Sequence, residues 1–181
     1  MWLVPRFLFY PSLLWNVVRE GPSRRWYDRI DDRVILGALP LRKHVAELVS
    51  EENVRTVISL NERYELRFFA ATSEEWGDVG VEQVIFETQE YFSSPSQSNI
   101  YEALRLIKEC GDRGSTAYVH CKAGRGRSAV LIACYLVAEK GMSPDEALEF
   151  MVSKRPQVKM MPQQFEAVRD FQRNLLSNNQ Y

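Results

Sequence analysis

Residues 116–128 read Thr116-Ala117-Tyr118-Val119-His120-Cys121-Lys122-Ala123-Gly124-Arg125-Gly126-Arg127-Ser128. The β-rich opening predicts a strand over Thr116–His120. Beyond Ser128, Ala129, Ile132, Ala133, Leu136 and Val137 recur at helical spacing, so the residues between form a loop that opens a helix. A helix N-terminus presents unpaired N–H groups and the positive end of the helix dipole, which together suit an anion. Gly124 and Gly126 let the backbone curl around that anion with no Cβ in the way.

The same field acts on sulfur. A free thiol titrates near pH ~8.5, and helix N-termini with nearby cations lower that value markedly. Cys121 is therefore expected to be a thiolate at neutral pH and a ready nucleophile. Arg127 is placed to lie across the loop and grip two phosphoryl oxygens with its planar fork, more tightly as charge grows on the equatorial oxygens in the transition state. Ser128 offers a hydrogen bond to the sulfur as it leaves. The expected phosphate-binding set is Lys122, Ala123, Gly124, Arg125, Gly126 and Arg127. The competing reading, an inert buried cysteine beside unrelated arginines, is disfavoured because the spacing, the preceding strand and the following helix agree. Cys110 and Cys134 fall in helical segments and read as structural. Three cysteines without paired spacing point away from a disulfide framework and toward a reducing compartment. With two His and no C-x-x-C, a zinc site is not expected.

Working outward, Val34–Leu39, Val54–Leu60 and Val81–Phe86 are further strand candidates, and Gly111–Gly114 supplies turn chemistry before the fourth. Ile100, Ala103, Leu104 and Ile107 share a helical face. Gly141 suits a left-handed helix end. Ser143-Pro144-Asp145-Glu146 supplies an N-cap, a proline at the first helical position and a glutamate at the third. Pro162 opens a last helix with Phe165, Val168, Phe171 and Leu175 at three- and four-residue steps. This alternation predicts an α/β fold, a central mostly parallel sheet flanked by helices, with most helices on one face. At 181 residues, 45% apolar and 26% charged, the chain is long enough for one domain with a sizeable core. A net charge of −1 gives a nucleic-acid partner no electrostatic support.

The Cys121–Ser128 segment, H-C-x5-R-S with its preceding His120, resembles the signature of the protein-tyrosine-phosphatase superfamily in its dual-specificity branch. Lys154-Arg155-Pro156 and the Pro162–Phe165 helix start look like that branch too, and the resemblance covers roughly residues 25–175. It implies a shallow phosphate pocket, a two-step mechanism through a cysteinyl phosphate, and neither metal nor cofactor. Trp26-Tyr27-Asp28-Arg29-Ile30-Asp31, Leu36-Gly37-Ala38-Leu39-Pro40 and Asn61-Glu62-Arg63-Tyr64-Glu65 are similar to the mitochondrial, tyrosine-phosphatase-like phosphatidylglycerophosphate phosphatases, although that family's Glu-Glu-Tyr-Glu here has Arg63 at its second position. The closer resemblance implies hydrolysis of phosphatidylglycerophosphate to phosphatidylglycerol on the route to cardiolipin, at the mitochondrial inner membrane. Lys122 and Arg125 make the loop unusually basic, which suits a substrate with a phosphodiester beside its monoester; solvated loop charges are the alternative.

A leaving alkoxide needs a proton. The family carries an Asp on the loop after its third strand, and alignment on Thr88 and Pro95 puts Glu90 there, one methylene longer. Glu62 and Glu65 are the alternatives. Two other functions stay open: a dual-specificity protein phosphatase for phosphotyrosine and phosphothreonine or a phosphoinositide phosphatase, and a non-catalytic phosphate-binding adaptor.

Residues 1–25 read as a separate targeting or membrane-associated segment ahead of a catalytic domain over 26–181. Residues 1–30 hold five Arg and two acids, against 18 basic and 22 acidic residues in the rest. The uncharged run Phe7 to Val18 is too short to span a bilayer and is interrupted by Pro11. A mitochondrial presequence, a secretory signal lacking a good cleavage site, and a segment that packs on the domain or lies in a membrane interface are the competing readings.

Overall fold

The interior strands are continuous apolar runs because both of their faces are buried. Alternate residues serve two cores. Val34, Leu36, Ile58, Ala117 and Val119 point into one, while Ile35, Val57 and Tyr118 point into the other. The computed structural model describes residues 25–90 and 92–178, together with Phe9, Pro11, Leu13, Leu14 and Gly21.

Five strands form one sheet: β1 (Tyr27–Arg29), β2 (Val34–Gly37), β3 (Val54–Ser59), β4 (Glu82–Ile85) and β5 (Thr116–His120). Their order is β1-β2-β5-β3-β4, with only β1 antiparallel to its neighbour. β5 is central, and its last residue, His120, lies level with Gly37 of β2 and Ser59 of β3. The segment that follows therefore leaves the middle of the sheet at its carboxyl edge, where open α/β sheets place their ligands.

One face carries α4 (Gln97–Asp112), α5 (Arg127–Lys140), α6 (Pro144–Lys154) and α7 (Pro162–Asn178). The other carries α1 (Val45–Ser50) and α3 (Ser73–Asp78) through Leu48 and Trp76. A single-turn helix, α2 (Arg63–Leu66), follows β3. α5 is buried continuously from Arg127 to Val137, because α6 and α7 cover the side that faces away from the sheet. It ends at Gly141 with φ +66°, in the left-handed region. The expected Ser143–Glu146 capping box is formed at the start of α6.

The expected strand over Val34–Leu39 stops at Gly37. Ala38 N–H donates to Trp26 O at 2.9 Å and Leu39 N–H to Lys122 O at 3.3 Å, which draws the chain off the ladder toward the site. Leu60 falls just past β3, and Val81 and Phe86 flank β4. Gly111 belongs to α4, so the turn before β5 rests on Gly114, at φ +72°. β1 has no apolar signature because it is a three-residue edge strand, polar at its outer end. Most of the 1–25 head lies outside the described residues. Phe9 and Leu13, which are described, are buried with Trp26, Ala38, Leu39 and Ala70.

Trp76 is fully buried, and its indole N–H has no hydrogen-bond partner among the described residues. Trp76→Ala is expected to cost about 3–5 kcal/mol in urea unfolding through the cavity it leaves. Trp76→Phe, which forfeits no hydrogen bond, is expected to cost distinctly less.

Candidate active site

Residues 121–126 connect β5 to α5. A loop that turns its N–H groups inward toward one anion must turn its carbonyls outward, and buried carbonyls need donors. The carbonyls of residues 122 to 126 each have a donor. Lys122 O accepts from Leu39 N–H at 3.3 Å, Arg125 O from Lys159 N–H at 2.9 Å and Gly126 O from Val130 N–H at 3.0 Å. Ala123 O and Gly124 O both accept from Arg155, at 3.2 and 2.9 Å. The Arg155 side chain is wholly buried and also donates to Asp28 Oδ2 at 2.7 Å and to the carbonyls of Arg25 and Trp26 at 3.1 and 3.2 Å. All five donors of one guanidinium thus join the loop to β1 and the residues just before it.

Gly124 is required sterically, whereas a side chain at Gly126 would have to displace the Gln164 amide. Gly124 sits at φ +63°, and a Cβ there would lie 2.5 Å from Gly37 C and O. At Gly126 a Cβ would lie 2.9 Å from Gln164 Oε1. Gln164 itself accepts from Met161 N–H at 3.0 Å and donates to Ser93 O at 2.8 Å, so α7 and the loop after β4 close on the same spot.

Cys121 is buried, with Ser128 Oγ donating to its sulfur at 3.2 Å. Burial alone would push the thiol up. The Arg127 charge, the Ser128 hydroxyl, and the backbone N–H groups of Ser128 and Arg125 outweigh it and bring the thiol down to about 7. His120, buried behind the sulfur, is pushed down to about 3 by burial, with the Arg127 charge adding to the effect, so it is neutral at physiological pH.

Arg127 does not lie free across the loop. It donates to both carboxylate oxygens of Glu65, at 3.2 and 3.1 Å, and to Leu60 O and Thr88 O at 3.1 and 2.8 Å. Asn61 donates to the same carboxylate. Burial pushes the Glu65 carboxyl up while the facing guanidinium pulls it back. Glu65, an alternative proton donor from the sequence, is thereby committed to orienting Arg127. Glu62 only flanks α2 as its N-cap. Glu90 does reach the site, where it is ion-paired with Lys122. The two expected loop cations differ in placement. Lys122 points inward against Glu90 and over the Phe9 ring, 5.3 Å from its centroid. Arg125 is drawn away to Gln157 O at 2.9 Å. Burial, reinforced by the Arg127 charge and opposed by Glu65, lowers the Lys122 ammonium to about 8.

A family profile described as the dual specificity phosphatase catalytic domain matches residues 40–174, which include the loop, Arg155 and Lys159. The chain belongs to the dual-specificity phosphatase family. It is a cysteine-dependent phosphatase, with the family's signature on the loop just described. It is 44% identical to the rat phosphatidylglycerophosphatase and protein-tyrosine phosphatase 1 over 94% of this chain and 90% of the relative. The human protein of that name is 40% identical, over 94% and 87%. An Arabidopsis thaliana phosphatidylglycerophosphate phosphatase is 38% identical, this chain spanning 51% of its length. Among solved structures, PTPMT1 in complex with PI(5)P superposes with a TM-score of 0.83 at 39% identity, over 86% of this chain and 99% of that one.

The dual-specificity phosphatase signature makes Cys121, Arg127 and Ser128 legible in the sequence. Arg155 is legible only as part of the Lys154-Arg155-Pro156 resemblance; its role in supporting the loop is not, because its partners are 31 to 130 positions away.

Two outcomes are expected. Iodoacetamide alkylation of Cys121 should rise with pH around a midpoint near 7, since the thiolate is the reactive form; Ser128→Ala should move that midpoint upward by removing a donor to the sulfur. Arg155→Met should destabilise by about 3–5 kcal/mol in urea, because Asp28 loses its buried partner. Asp28→Leu/Arg155→Met should regain part of that stability without regaining turnover, because the loop carbonyls stay unheld.

Proposed function

We propose that this phosphatase hydrolyses the terminal monoester of phosphatidylglycerophosphate, leaving phosphatidylglycerol. The observation that carries this reading is the second cation in the site. Besides Arg127, Lys122 brings an ammonium inside, where a substrate with a phosphodiester next to its monoester has a use for it. The names of the rat, human and Arabidopsis relatives support the same substrate.

In the first step the Cys121 thiolate attacks phosphorus and the P–O bond to glycerol breaks. Arg127 and the loop amides hold the equatorial oxygens, and Glu90 gives a proton to the departing oxygen. In the second, water attacks the phosphocysteine and passes its proton to the Glu90 carboxylate, and the sulfur leaves as a thiolate hydrogen-bonded by Ser128. Site cations and carboxylates alike come from this chain, and each is held by a named neighbour.

We also propose that it works at a membrane surface in the mitochondrion, the inner membrane being the expected one. Phe68, Phe69 and Phe92 are large exposed apolar side chains a few residues from Glu65 and Glu90, and Leu14 is exposed next to buried Leu13. Aromatic side chains of this kind suit a lipid interface. Among the described residues no helix is long and apolar enough to cross a bilayer. The basic, acid-free stretch up to Arg19 supports the address.

A second reading, phosphoinositide hydrolysis, is favoured by the solved PTPMT1 complex with PI(5)P; that lipid also has a diester beside a monoester. Phosphate release should be compared across phosphatidylglycerophosphate, phosphatidylinositol 5-phosphate and phosphotyrosine peptides in mixed micelles. The expected order puts phosphatidylglycerophosphate first by at least about tenfold in kcat/KM, with Cys121→Ser abolishing all three. Preferential turnover of the peptides would overturn the lipid reading.

A further inference from the structure

The Lys122–Glu90 pair joins a residue expected to bind phosphate with the residue expected to donate the proton. The two side chains are 11% and 9% exposed, so the attraction between them is little screened by water. Glu90 Oε2 is buried and takes no hydrogen bond among the described residues. A carboxylate closed against an ammonium is anionic and has no proton to give. In this arrangement the resting enzyme is poised for attack by sulfur but not for departure of a poor leaving group.

We propose that Lys122 is a substrate-displaced clamp on Glu90: a second anion on the substrate draws the ammonium away, and the acid becomes competent only then. The proposal rests on the reading of Glu90 as proton donor and extends it to specificity. Lys122 directly follows Cys121 on the loop, so its side chain swings from a fixed root beside the reacting phosphorus. An incoming phosphodiester competes for it with Glu90 and with the face of the Phe9 ring. Once deprived of its counter-charge and facing a phosphoryl dianion, Glu90 takes a proton from solvent. It returns that proton to the glycerol oxygen as the P–O bond breaks and the S–P bond forms. A plain alkyl monoester binds the loop equally well but leaves the clamp closed. An aryl phosphate needs no proton on its leaving group and is indifferent to it. Lys122 thereby converts recognition of the neighbouring anion into rate as well as affinity.

The test uses the full chain and three soluble substrates: p-nitrophenyl phosphate, glycerol 3-phosphate and dihexanoyl phosphatidylglycerophosphate. Wild type is expected to show a kcat on the short-chain lipid at least about tenfold above that on glycerol phosphate, within the range that general acids supply. Lys122→Met should raise kcat on glycerol phosphate several-fold and raise KM for the lipid, so that the kcat ratio falls toward one. Lys122→Arg, which keeps the charge, should retain most of the ratio. Glu90→Gln should lower kcat on the lipid by about a hundredfold, act less on glycerol phosphate, where the clamp already holds the acid back, and leave the rate of the first-turnover burst of p-nitrophenolate, which precedes the step in which Glu90 acts as base, within a few-fold. A Lys122→Met variant that changes only KM, with the kcat ratio intact, would reduce Lys122 to a simple binding cation and overturn the clamp. Unchanged lipid turnover in Glu90→Gln would instead remove Glu90 as the acid, and the clamp with it. Hydrolysis of glycerol phosphate without hydrolysis of the lipid would overturn the substrate reading on which the clamp's purpose depends.

Discussion

A loop that points its amides at a single anion has to send its carbonyls into the protein, and satisfying them is the constraint on which this structure depends. Four segments answer it. The stretch after β2 supplies Leu39 N–H, the stretch after α6 supplies Lys159 N–H, α5 supplies Val130 N–H, and the C-cap of α6 supplies Arg155. Buried unpaired carbonyls would cost about 1–3 kcal/mol each, so these donors hold the cradle in shape before any phosphate arrives. A preformed cradle has little reorganisation left to do in the transition state.

The charges show the same division of labour. Arg127 is held by Glu65, and Glu65 is steadied by Asn61, so the guanidinium whose charge acts on the sulfur is fixed in place. A lone buried guanidinium would be costly; a bidentate partner offsets much of that cost. The lowered sulfur, the neutral His120 and the oriented Arg127 all follow from packing at the carboxyl edge of β5. Chemistry is concentrated there because three parallel strands end level with one another.

What was legible in the sequence is what is local. Cys121, Gly124, Gly126, Arg127 and Ser128 lie within eight positions, and their spacing carries their chemistry. The strands from Val54 and Thr116 were legible because both faces of each are covered by apolar neighbours. Three things were not. β1 pairs through its backbone at an edge, and its Tyr27-Asp28-Arg29 has no apolar pattern. The Glu65 carboxylate reads as a candidate acid until Arg127, 62 positions on, is seen to occupy it. Lys122 and Arg125 look equivalent in the loop, yet one turns in to Glu90 and the other out to Gln157 O.

The hub at Arg155 has a bearing on how the enzyme comes into being. Its partners include the carbonyls of Arg25 and Trp26, ahead of and at the entry to β1, while Arg155 lies 130 positions further on. A growing chain on the ribosome therefore acquires its nucleophile some thirty residues before it acquires the groups that shape the cradle around it. Synthesis runs at about 5–20 residues per second, so that thiol spends only seconds without its finished surroundings, and dephosphorylation waits for residues 155 to 159.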